Sequence, residues 1–280
     1  MSARLTSQAQ RAEHFHSLHH GDRPLVILNA WDAGSARIFE RAGATAIATT
    51  SSGVAWTRAY PDGQKLPLDQ LAAAVREMAA AVEIPLSVDL EAGFAARPEQ
   101  VARNAEAMVE AGAVGINLED GAEAPELLAE KIRAVREMAT SRAVPVFINA
   151  RTDVFLHAIG DPATRPEAAL RRFELYQSAG ADGVFAIGLT QVPTIARLAR
   201  SCALPLNVMI QHNSPPLAEL TEAGVRRITI GGNAAAAALS LVDRIARTIL
   251  EAGNFALLFE NQPLIYPALN QMFARRQRTD

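Results

Sequence analysis

Glu110-Ala111-Gly112-Ala113, followed by the apolar run Val114–Leu118, is the stretch of sequence that decides the fold. Its glycine closes a helical pattern and opens a short apolar run, and glycine readily takes the left-handed conformation that ends a helix. The same junction recurs three more times, as Arg41-Ala42-Gly43-Ala44, Ser178-Ala179-Gly180-Ala181 and Glu222-Ala223-Gly224-Val225. Four junctions in one phase indicate a chain built from repeated strand–helix units.

Short apolar runs and longer helical patterns alternate along the whole chain. The runs are rich in Val and Ile and lack clean polar alternation, which is typical of strands buried on both faces of a parallel sheet. Eight such units predict an α/β fold, a (β/α)8 barrel rather than an open doubly wound sheet. The helical patterns include residues 68–81, 98–111, 126–139 and 166–179. The predicted strands are Leu25–Ala30, Ala44–Thr50, Ile84–Leu90, Val114–Leu118, Val146–Ala150, Gly183–Ile187, Leu204–Met209 and Arg227–Ile230.

No Pro-, Gly- or Ser-rich linker divides the chain, so we predict a single domain over residues 1–280. A leading helix is expected within 1–22, the barrel within 23–253 and a C-terminal extension within 254–280. In the extension, Pro263–Pro267 precedes an amphipathic pattern over Ala268–Arg275, which predicts an extra helix that could pack on a neighbouring subunit. The four histidines of the leading segment are expected on a surface helix: His14, His16, His19 and His20.

Composition excludes several classes of function. The chain has 27 Lys and Arg against 30 Asp and Glu, a net charge of −3, so nothing global favours nucleic acid or an anionic membrane. The single cysteine, Cys202, excludes an internal disulfide framework and multi-cysteine metal sites. The N-terminus has no signal-like apolar run, and no stretch is long enough to span a membrane. We therefore expect a soluble cytoplasmic protein.

Carboxylates cluster where the third and fourth predicted strands end, the side on which barrel active sites lie. Asp89 and Glu91 are two residues apart and share a face of the third strand, and Glu119 and Asp120 end the fourth. Such acids repel each other unless a cation lies between them, and oxygen ligands favour Mg²⁺ or Mn²⁺. Asp89 is the expected direct ligand, with Glu91 and Glu119 acting through water. The alternative is that these acids cap helices or form loop salt bridges.

Other polar groups at the predicted mouth suggest anion binding. Arg151 ends an otherwise apolar strand and needs an anionic partner, either a substrate carboxylate or one of Glu119 and Asp153. Ser52 and Gly53 follow the second strand and can present backbone N–H groups to an anionic oxygen. Asn207 lies on the seventh strand. Three further residues could line the mouth or lie in solvated loops: Lys65, His157 and His212.

These strand ends resemble the isocitrate lyase/phosphoenolpyruvate mutase superfamily. The resemblance implies a Mg²⁺-dependent barrel, commonly a homodimer or homotetramer that exchanges its eighth helix, acting on small α-keto or α-hydroxy carboxylates through an enolate. The matching strings are Asn29-Ala30-Trp31-Asp32-Ala33-Gly34-Ser35-Ala36, Ser51-Ser52-Gly53, Pro61-Asp62-Gly63, Ser87-Val88-Asp89-Leu90-Glu91-Ala92-Gly93-Phe94, Gly115-Ile116-Asn117-Leu118-Glu119-Asp120-Gly121 and Phe147-Ile148-Asn149-Ala150-Arg151-Thr152-Asp153.

The resemblance also implies roles for the residues at the matching positions. Asp62, Asp89, Glu91 and Glu119 would form the metal shell, and Arg151 would clamp the substrate carboxylate. We assign catalytic roles to Asp62, Glu119 and Arg151, metal binding to Asp89, Glu91 and Glu119, and substrate contacts to Ser52, Gly53, Asp89, Arg151 and Asn207.

The reaction predicted first is Mg²⁺-dependent cleavage of a C–C bond next to a keto or hydroxy carboxylate. Lyases of the superfamily carry a Lys-Cys-Gly-type loop after the fourth strand, but here Gly121 runs almost directly into the helix starting near Pro125. An oxaloacetate-type decarboxylase or hydrolase, which needs no thiol, is therefore the main alternative. Phosphonopyruvate or phosphoenolpyruvate chemistry and a non-catalytic keto-acid binder remain open.

Overall fold

Eight parallel strands close into a barrel in the order of the chain, as the repeated junction predicts. In the computed structural model, which describes residues 7–260 and 264–274, each strand pairs with the next, and β8 pairs with β1. The strands are β1 Leu25–Ala30, β2 Ile47–Thr49, β3 Leu86–Asp89, β4 Gly115–Glu119, β5 Phe147–Thr152, β6 Gly183–Ala186, β7 Leu206–Met209 and β8 Arg227–Thr229.

Eleven α-helices occur in the described residues, and most of them connect consecutive strands. They are α1 Gln8–Leu18, α2 Ala33–Arg41, α3 Ser51–Trp56, α4 Leu68–Ala81, α5 Pro98–Glu110, α6 Pro125–Ser141, α7 Arg165–Ala179, α8 Val192–Ser201, α9 Leu217–Glu222, α10 Asn233–Ala252 and α11 Tyr266–Phe273. The predicted leading and extra C-terminal helices correspond to α1 and α11. Residues 1–6 of the predicted leading segment, and Pro263 and Arg275 of the extension, lie outside the described residues.

Internal contacts divide the chain into two units, residues 1–231 with the closed barrel and residues 232–280 with α10 and α11. The boundaries of the predicted single domain stay a prediction. Across the described parts of both units, no helix is long and apolar enough to cross a membrane.

The four junction glycines end helices in the way that the sequence predicts. Gly43, Gly112, Gly180 and Gly224 have φ angles of 100°, 113°, 105° and 88°. A side chain is disfavoured at such angles, so glycine lets each chain segment leave its helix and enter the next strand.

Alternate residues of β4 and β5 face opposite sides of the barrel wall. Ile116 and Leu118 of β4 belong to the buried apolar cluster shared with the surrounding helices. Asn117 of β4 faces inward, because its Oδ1 accepts a 2.9 Å hydrogen bond from Nδ2 of Asn149 on β5. By the same alternation, Glu119 and Arg151 face inward two residues further on, at the C-terminal end of the barrel.

Helix α1 covers the opposite, N-terminal end of the barrel. Phe15 packs so close to Gly115, at the start of β4, that a Cβ there would lie 2.6 Å from the Phe15 ring. His19 stacks on Phe147 with ring centroids 3.9 Å apart, and Arg227 lies above the Phe15 and Phe147 rings. The prediction that all four leading histidines are on the surface is wrong for His19, which is 1% exposed because α1 packs this face onto the strand starts.

Burial, and then the charge of Arg227, lower the pKa of His19 to about 2. The ring is neutral: Nδ1–H donates to the Phe15 carbonyl at 2.8 Å, and Nε2 faces Arg227 Nη1 at 3.4 Å. In the unfolded chain this histidine gains a proton below about pH 6.5, whereas the folded chain keeps it neutral. The unfolded state then binds more protons, so folding stability falls as pH drops.

We expect His19 to cost about 1.4 kcal/mol of stability for each pH unit below 6.5. The measurement is the free energy of unfolding in urea for the wild type and His19→Gln between pH 7 and pH 5. The difference in the free energy of unfolding between the wild type and His19→Gln should become smaller as the pH falls. His20→Gln, which removes an exposed neighbour, is the control. A gap that stays constant over this range would contradict the prediction.

Candidate active site

Three predicted site residues lie on adjacent strands at the C-terminal end of the barrel. Asp89 at the end of β3 pairs in register with Asn117 of β4, and Glu119 of β4 pairs with Arg151 of β5. Because Asn117 and Glu119 lie on the same face, the three charged side chains form one group in the barrel mouth. This is the arrangement that the sequence predicts for these three residues.

Arg151 is held between two carboxylates of the protein. Its Nη1 lies 2.6 Å from Glu119 Oε2, and its Nε and Nη2 donate to the two oxygens of Asp153 at 2.7 and 2.9 Å. Burial works against the charge, but Glu119, Asp153 and Asp89 outweigh it and raise the pKa of Arg151. The guanidinium is therefore charged. It contacts both Glu119 and Asp153, the two carboxylates that the sequence analysis named as its partners within the protein.

Two oxygens in this group are buried without a hydrogen bond from the described residues, Asp89 Oδ1 and Glu119 Oε2. The short contact between Glu119 and Arg151 is a charge contact, because its geometry is not that of a hydrogen bond. Burial raises the pKa of Glu119 to about 8 against the opposing effect of Arg151. Burial likewise raises the pKa of Asp89, although Arg151 and hydrogen bonds from Ser51 oppose it.

Glu91 lies in a tight turn after β3 and is 8% exposed. Its own φ of 50° and the 93° of Gly93 are left-handed, which turns the chain sharply back from the strand. Its Oε2 accepts a 2.8 Å hydrogen bond from the backbone N–H of Gln64. Burial, then Asp89 and Asp62, raise the pKa of Glu91 to about 7.

A small cavity of about 10 Å³, close to the size of one water or ion, lies beside this turn. Asp62 and Lys65, from the segment after α3, line this cavity together with Asp89 and Glu91, so that segment borders the carboxylates at the end of β3. Its lining is Ser51, Ala55, Pro61, Asp62, Gly63, Gln64, Lys65, Leu66, Leu71, Asp89, Glu91 and Phe94.

The cavity is lined by Ser51, whereas Ser52 and Gly53 are not among its lining residues. Ser52 Oγ lies 3.0 Å from Thr50 Oγ1, and the Gly53 N–H donates to the same threonine oxygen at 3.4 Å inside α3. Ser51 is a functional candidate that we did not single out from the sequence. The only signal for it was its place in the same Ser-Ser-Gly string.

Three other predicted residues are not among the lining residues of this cavity. Asn207 is completely buried on β7, with its Nδ2 lacking a hydrogen-bond partner among the described residues. His157 is exposed and lies 3.4 Å from Asp153 Oδ2, and His212 is exposed. Of the three residues considered for the mouth, Lys65 alone lines this cavity.

A buried network behind Arg151 was not predicted. Asp120 Oδ1 accepts a 2.9 Å hydrogen bond from the backbone N–H of Asp153, the residue that holds Arg151. Asp120 Oδ2 accepts from Arg172 Nη1 at 2.5 Å and from the Tyr176 hydroxyl at 2.6 Å. Arg172 and Tyr176 are one turn apart on α7 and therefore lie on the same face of the helix. This spacing was the sequence signal that could have indicated a shared partner.

The carboxylates suit Mg²⁺ better than a metal that needs a complete protein cage. Within residues 7–260 and 264–274, no three His, Cys, Asp or Glu side chains form a metal-binding group by themselves. Mg²⁺ usually keeps several waters and takes only one or two carboxylates directly. The buried, unpartnered Asp89 Oδ1 is the atom that fits such a direct ligand, and Glu91 and Glu119 would contact bound water.

Comparisons with known proteins show the family to which this chain belongs. Residues 15–250 match the phosphoenolpyruvate phosphomutase family. An uncharacterized protein of Mycobacterium tuberculosis is 35% identical over 84% of this chain and 88% of its own length. A 2-methylisocitrate lyase of Salmonella typhimurium is 30% identical over 72% of this chain and 68% of its own length.

Two solved structures have the same fold. A protein of Burkholderia cenocepacia J2315 described as a lyase or mutase superimposes with a TM-score of 0.88 at 34% identity, covering 96% of this chain and 97% of its own. A phosphonopyruvate hydrolase, solved with oxalate and Mg²⁺, superimposes with a TM-score of 0.80 at 21% identity, covering 94% of both chains. The chain therefore belongs to the phosphoenolpyruvate phosphomutase family, within the isocitrate lyase/phosphoenolpyruvate mutase superfamily of lyases, mutases and hydrolases.

Proposed function

We propose that this protein is a Mg²⁺-dependent lyase that cleaves a C–C bond adjacent to an α-keto or α-hydroxy carboxylate. The observation that carries the proposal is the group of Asp89, Glu119 and Arg151, in which two buried carboxylate oxygens accept no hydrogen bond from the described residues and lie beside a charged guanidinium. The kinship with 2-methylisocitrate lyase supports the bond type. The complex of phosphonopyruvate hydrolase with oxalate and Mg²⁺ supports the metal and the class of ligand.

Each residue of the group has a distinct task in this proposal. Bound Mg²⁺ supplies Lewis acidity that stabilises negative charge on a substrate oxygen. Asp89 would hold the ion directly, and Glu91 and Glu119 would contact its bound water. Arg151 is fixed by Asp153 through Nε–H and one Nη2–H, so its remaining N–H groups, on Nη1 and Nη2, are the donors that would meet a substrate carboxylate. Asp62 and Ser51 border the space next to Asp89. Asn207 stays a predicted substrate contact.

A second reaction, decarboxylation or hydrolysis of an oxaloacetate-type acid, is favoured by one specific feature. The segment between β4 and α6 is only residues 120–124 and contains neither lysine nor cysteine. A reaction that needs no thiol from this segment is compatible with so short a connection. The lyase and the decarboxylase reactions release a small keto acid, whereas hydrolysis of oxaloacetate would release oxalate and acetate, so the experiment measures both kinds of product.

The test measures the release of keto acids, and of oxalate, from oxaloacetate, 2-methylisocitrate and related acids by the purified protein with Mg²⁺. We expect turnover of at least one acid, its loss in EDTA and its return when Mg²⁺ or Mn²⁺ is added back. If oxaloacetate is the one acid that is turned over and pyruvate is its product, the second reaction is favoured. P–C cleavage seen by phosphorus NMR would favour phosphonate chemistry. Calorimetric binding without turnover would indicate a keto-acid binder, and turnover that survives EDTA would overturn the metal-dependent proposal.

We also propose that the protein forms a homodimer or homotetramer whose subunits exchange the eighth helix of the barrel, which is α10, the helix that follows β8. Support comes from α10, whose side chains Val242 and Leu250 are 62% and 84% exposed in the single chain. Such apolar exposure on one helix is typical of a surface that another chain covers.

A further inference from the structure

The turn after β3, residues 90–94, is bent sharply where it presents Glu91. Glu91 and Phe94 have left-handed φ angles of 50° and 56°, which are unfavourable for residues that carry a side chain. Gly93 between them has a φ of 93°, and a Cβ at this position would lie 2.5 Å from the Val101 side chain. A turn with this backbone keeps its shape only if the surrounding structure holds it.

Three consecutive backbone carbonyls of this turn accept hydrogen bonds from three different elements. The Glu91 carbonyl accepts from the backbone N–H of Glu119 on β4 at 3.0 Å. The Ala92 carbonyl accepts from Lys131 Nζ on α6 at 2.8 Å, and the carbonyl after it accepts from Asn104 Nδ2 on α5 at 2.8 Å. The turn is therefore attached to β4, α5 and α6, and Lys131 provides the attachment to α6.

Lys131 is a buried lysine whose hydrogen bond goes to this turn. It is 4% exposed, and lysine is almost never so deeply buried unless a partner compensates its charge. Burial lowers the pKa of Lys131, whereas the charges of Glu123 and Glu119 act in the opposite direction and favour the ammonium form. A buried ammonium group is more costly than an apolar side chain of the same length, so packing alone does not account for lysine at this position.

We propose that Lys131 is a positioning residue for the metal site, because its ammonium group holds the turn from which Glu91 reaches the water bound to the ion. The inference rests on the proposed function, in which Asp89 holds Mg²⁺ and Glu91 contacts its water. Glu91 Oε2 accepts the backbone N–H of Gln64 at 2.8 Å, so Oε1 is the oxygen that would contact this water. Lys131 fixes the backbone from which that oxygen extends.

Two effects of Lys131 on a bound cation have opposite signs, and this difference makes the inference testable. The positive charge of Lys131 repels a cation, so removal of the charge alone would strengthen Mg²⁺ binding. Loss of the hydrogen bond to Ala92 would release the turn and with it Glu91, which would weaken Mg²⁺ binding. The positioning role therefore requires an uncharged variant to bind Mg²⁺ more weakly than the wild type.

The experiment measures the Kd for Mg²⁺ by calorimetry at a temperature at which all variants are folded. We expect Lys131→Met, which has a similar length but no donor, to raise this Kd about 10-fold or more. Lys131→Arg keeps both the charge and the donor and should recover most of the affinity. Arg133→Met removes a positive charge from the exposed face of the same helix and should leave the Kd within about twofold, because solvent screens that charge.

Amide hydrogen exchange in the metal-free protein tests the same inference without the ion. The N–H groups of Gly93 and Glu119 donate to carbonyls of this turn at 2.8 and 3.0 Å. Both should exchange about 10-fold faster in Lys131→Met and at the wild-type rate in Arg133→Met. If Lys131→Met does not fold, Lys131→Gln replaces it in both measurements, because its amide is one bond too short to make the same contact.

The outcomes separate failure of this inference from failure of the proposed function. If the uncharged variant binds Mg²⁺ as tightly as the wild type or more tightly, the positioning role is wrong and the proposed function stands. Unchanged exchange of the two amides would overturn the positioning role in the same way. If the wild type itself binds no Mg²⁺, the proposed function fails and this inference fails with it.

Discussion

Asp89→Asn should lower kcat/KM by at least about 10³-fold on any acid that the wild type turns over. Asparagine keeps the shape but removes the charge of the expected direct ligand, so the protein loses the contribution of several kcal/mol that a bound metal ion makes to stabilising the transition state. The same variant should lose the rise in Tm that Mg²⁺ gives the wild type, because an ion that binds only the folded state stabilises it. Steady-state kinetics and thermal unfolding with and without Mg²⁺ measure both effects.

The metal-free stability of Asp89→Asn gives an independent check. Burial raises the pKa of Asp89, so its ionised form is unfavourable in the folded protein when no cation is bound. Without metal, Asp89→Asn should unfold at the same temperature as the wild type or higher. The control Asp22→Asn changes an exposed acid before β1 and should leave both activity and the Mg²⁺ effect intact. Full activity or an unchanged Mg²⁺ effect in Asp89→Asn would remove the basis for the metal site.

Asp120→Ala should destabilise the protein by about 3–5 kcal/mol, the usual cost of breaking a buried ion pair by removing one partner. Asp120 is 1% exposed and accepts hydrogen bonds from Arg172, Tyr176 and the backbone of Asp153. Its loss leaves a partly buried guanidinium and a buried hydroxyl without their acceptor. Urea denaturation, compared with Glu130→Gln on the exposed face of α6, measures the effect.

The smaller Tyr176→Phe change tests whether the network acts as a unit. Removing the hydroxyl alone should cost about 1 kcal/mol, because Asp120 keeps its other donors. The effects of Asp120→Ala and Tyr176→Phe should not add, because both variants remove the same hydrogen bond. A cost below about 1 kcal/mol for Asp120→Ala would show that Arg172 finds water instead, and that the network does not support the strand ends.

Local signals predicted the barrel well because each of its units repeats the same physical requirements. The predicted bounds of β1 and of α4 agree with the structure, and α6 begins at Pro125 as expected. The carboxyl ends of neighbouring parallel strands must meet, so the placement of Asp89, Glu119 and Arg151 together followed from strand order alone. These inferences depend on period and topology, which a single sequence contains.

Details that depend on packing between distant segments could not be predicted in the same way. The second strand was expected over Ala44–Thr50 but covers only Ile47–Thr49, and α3 begins at once at Ser51. That early helix start decides which of Ser51 and Ser52 borders the cavity. The pairing of Asp120 with α7 and the burial of His19 under α1 also depend on contacts between residues far apart in sequence.

The aromatic cluster at the N-terminal end of the barrel, formed by Phe15, His19 and Phe147, has a consequence for how substrate enters and product leaves. Phe15 lies in close contact with Gly115, and Phe147, His19 and Arg227 pack around Phe15, so side chains fill this end of the barrel. If the protein cleaves its substrate as proposed, both products would leave through the C-terminal mouth of the barrel, where the substrate also enters. The product that dissociates last would then compete with the next substrate molecule for this mouth.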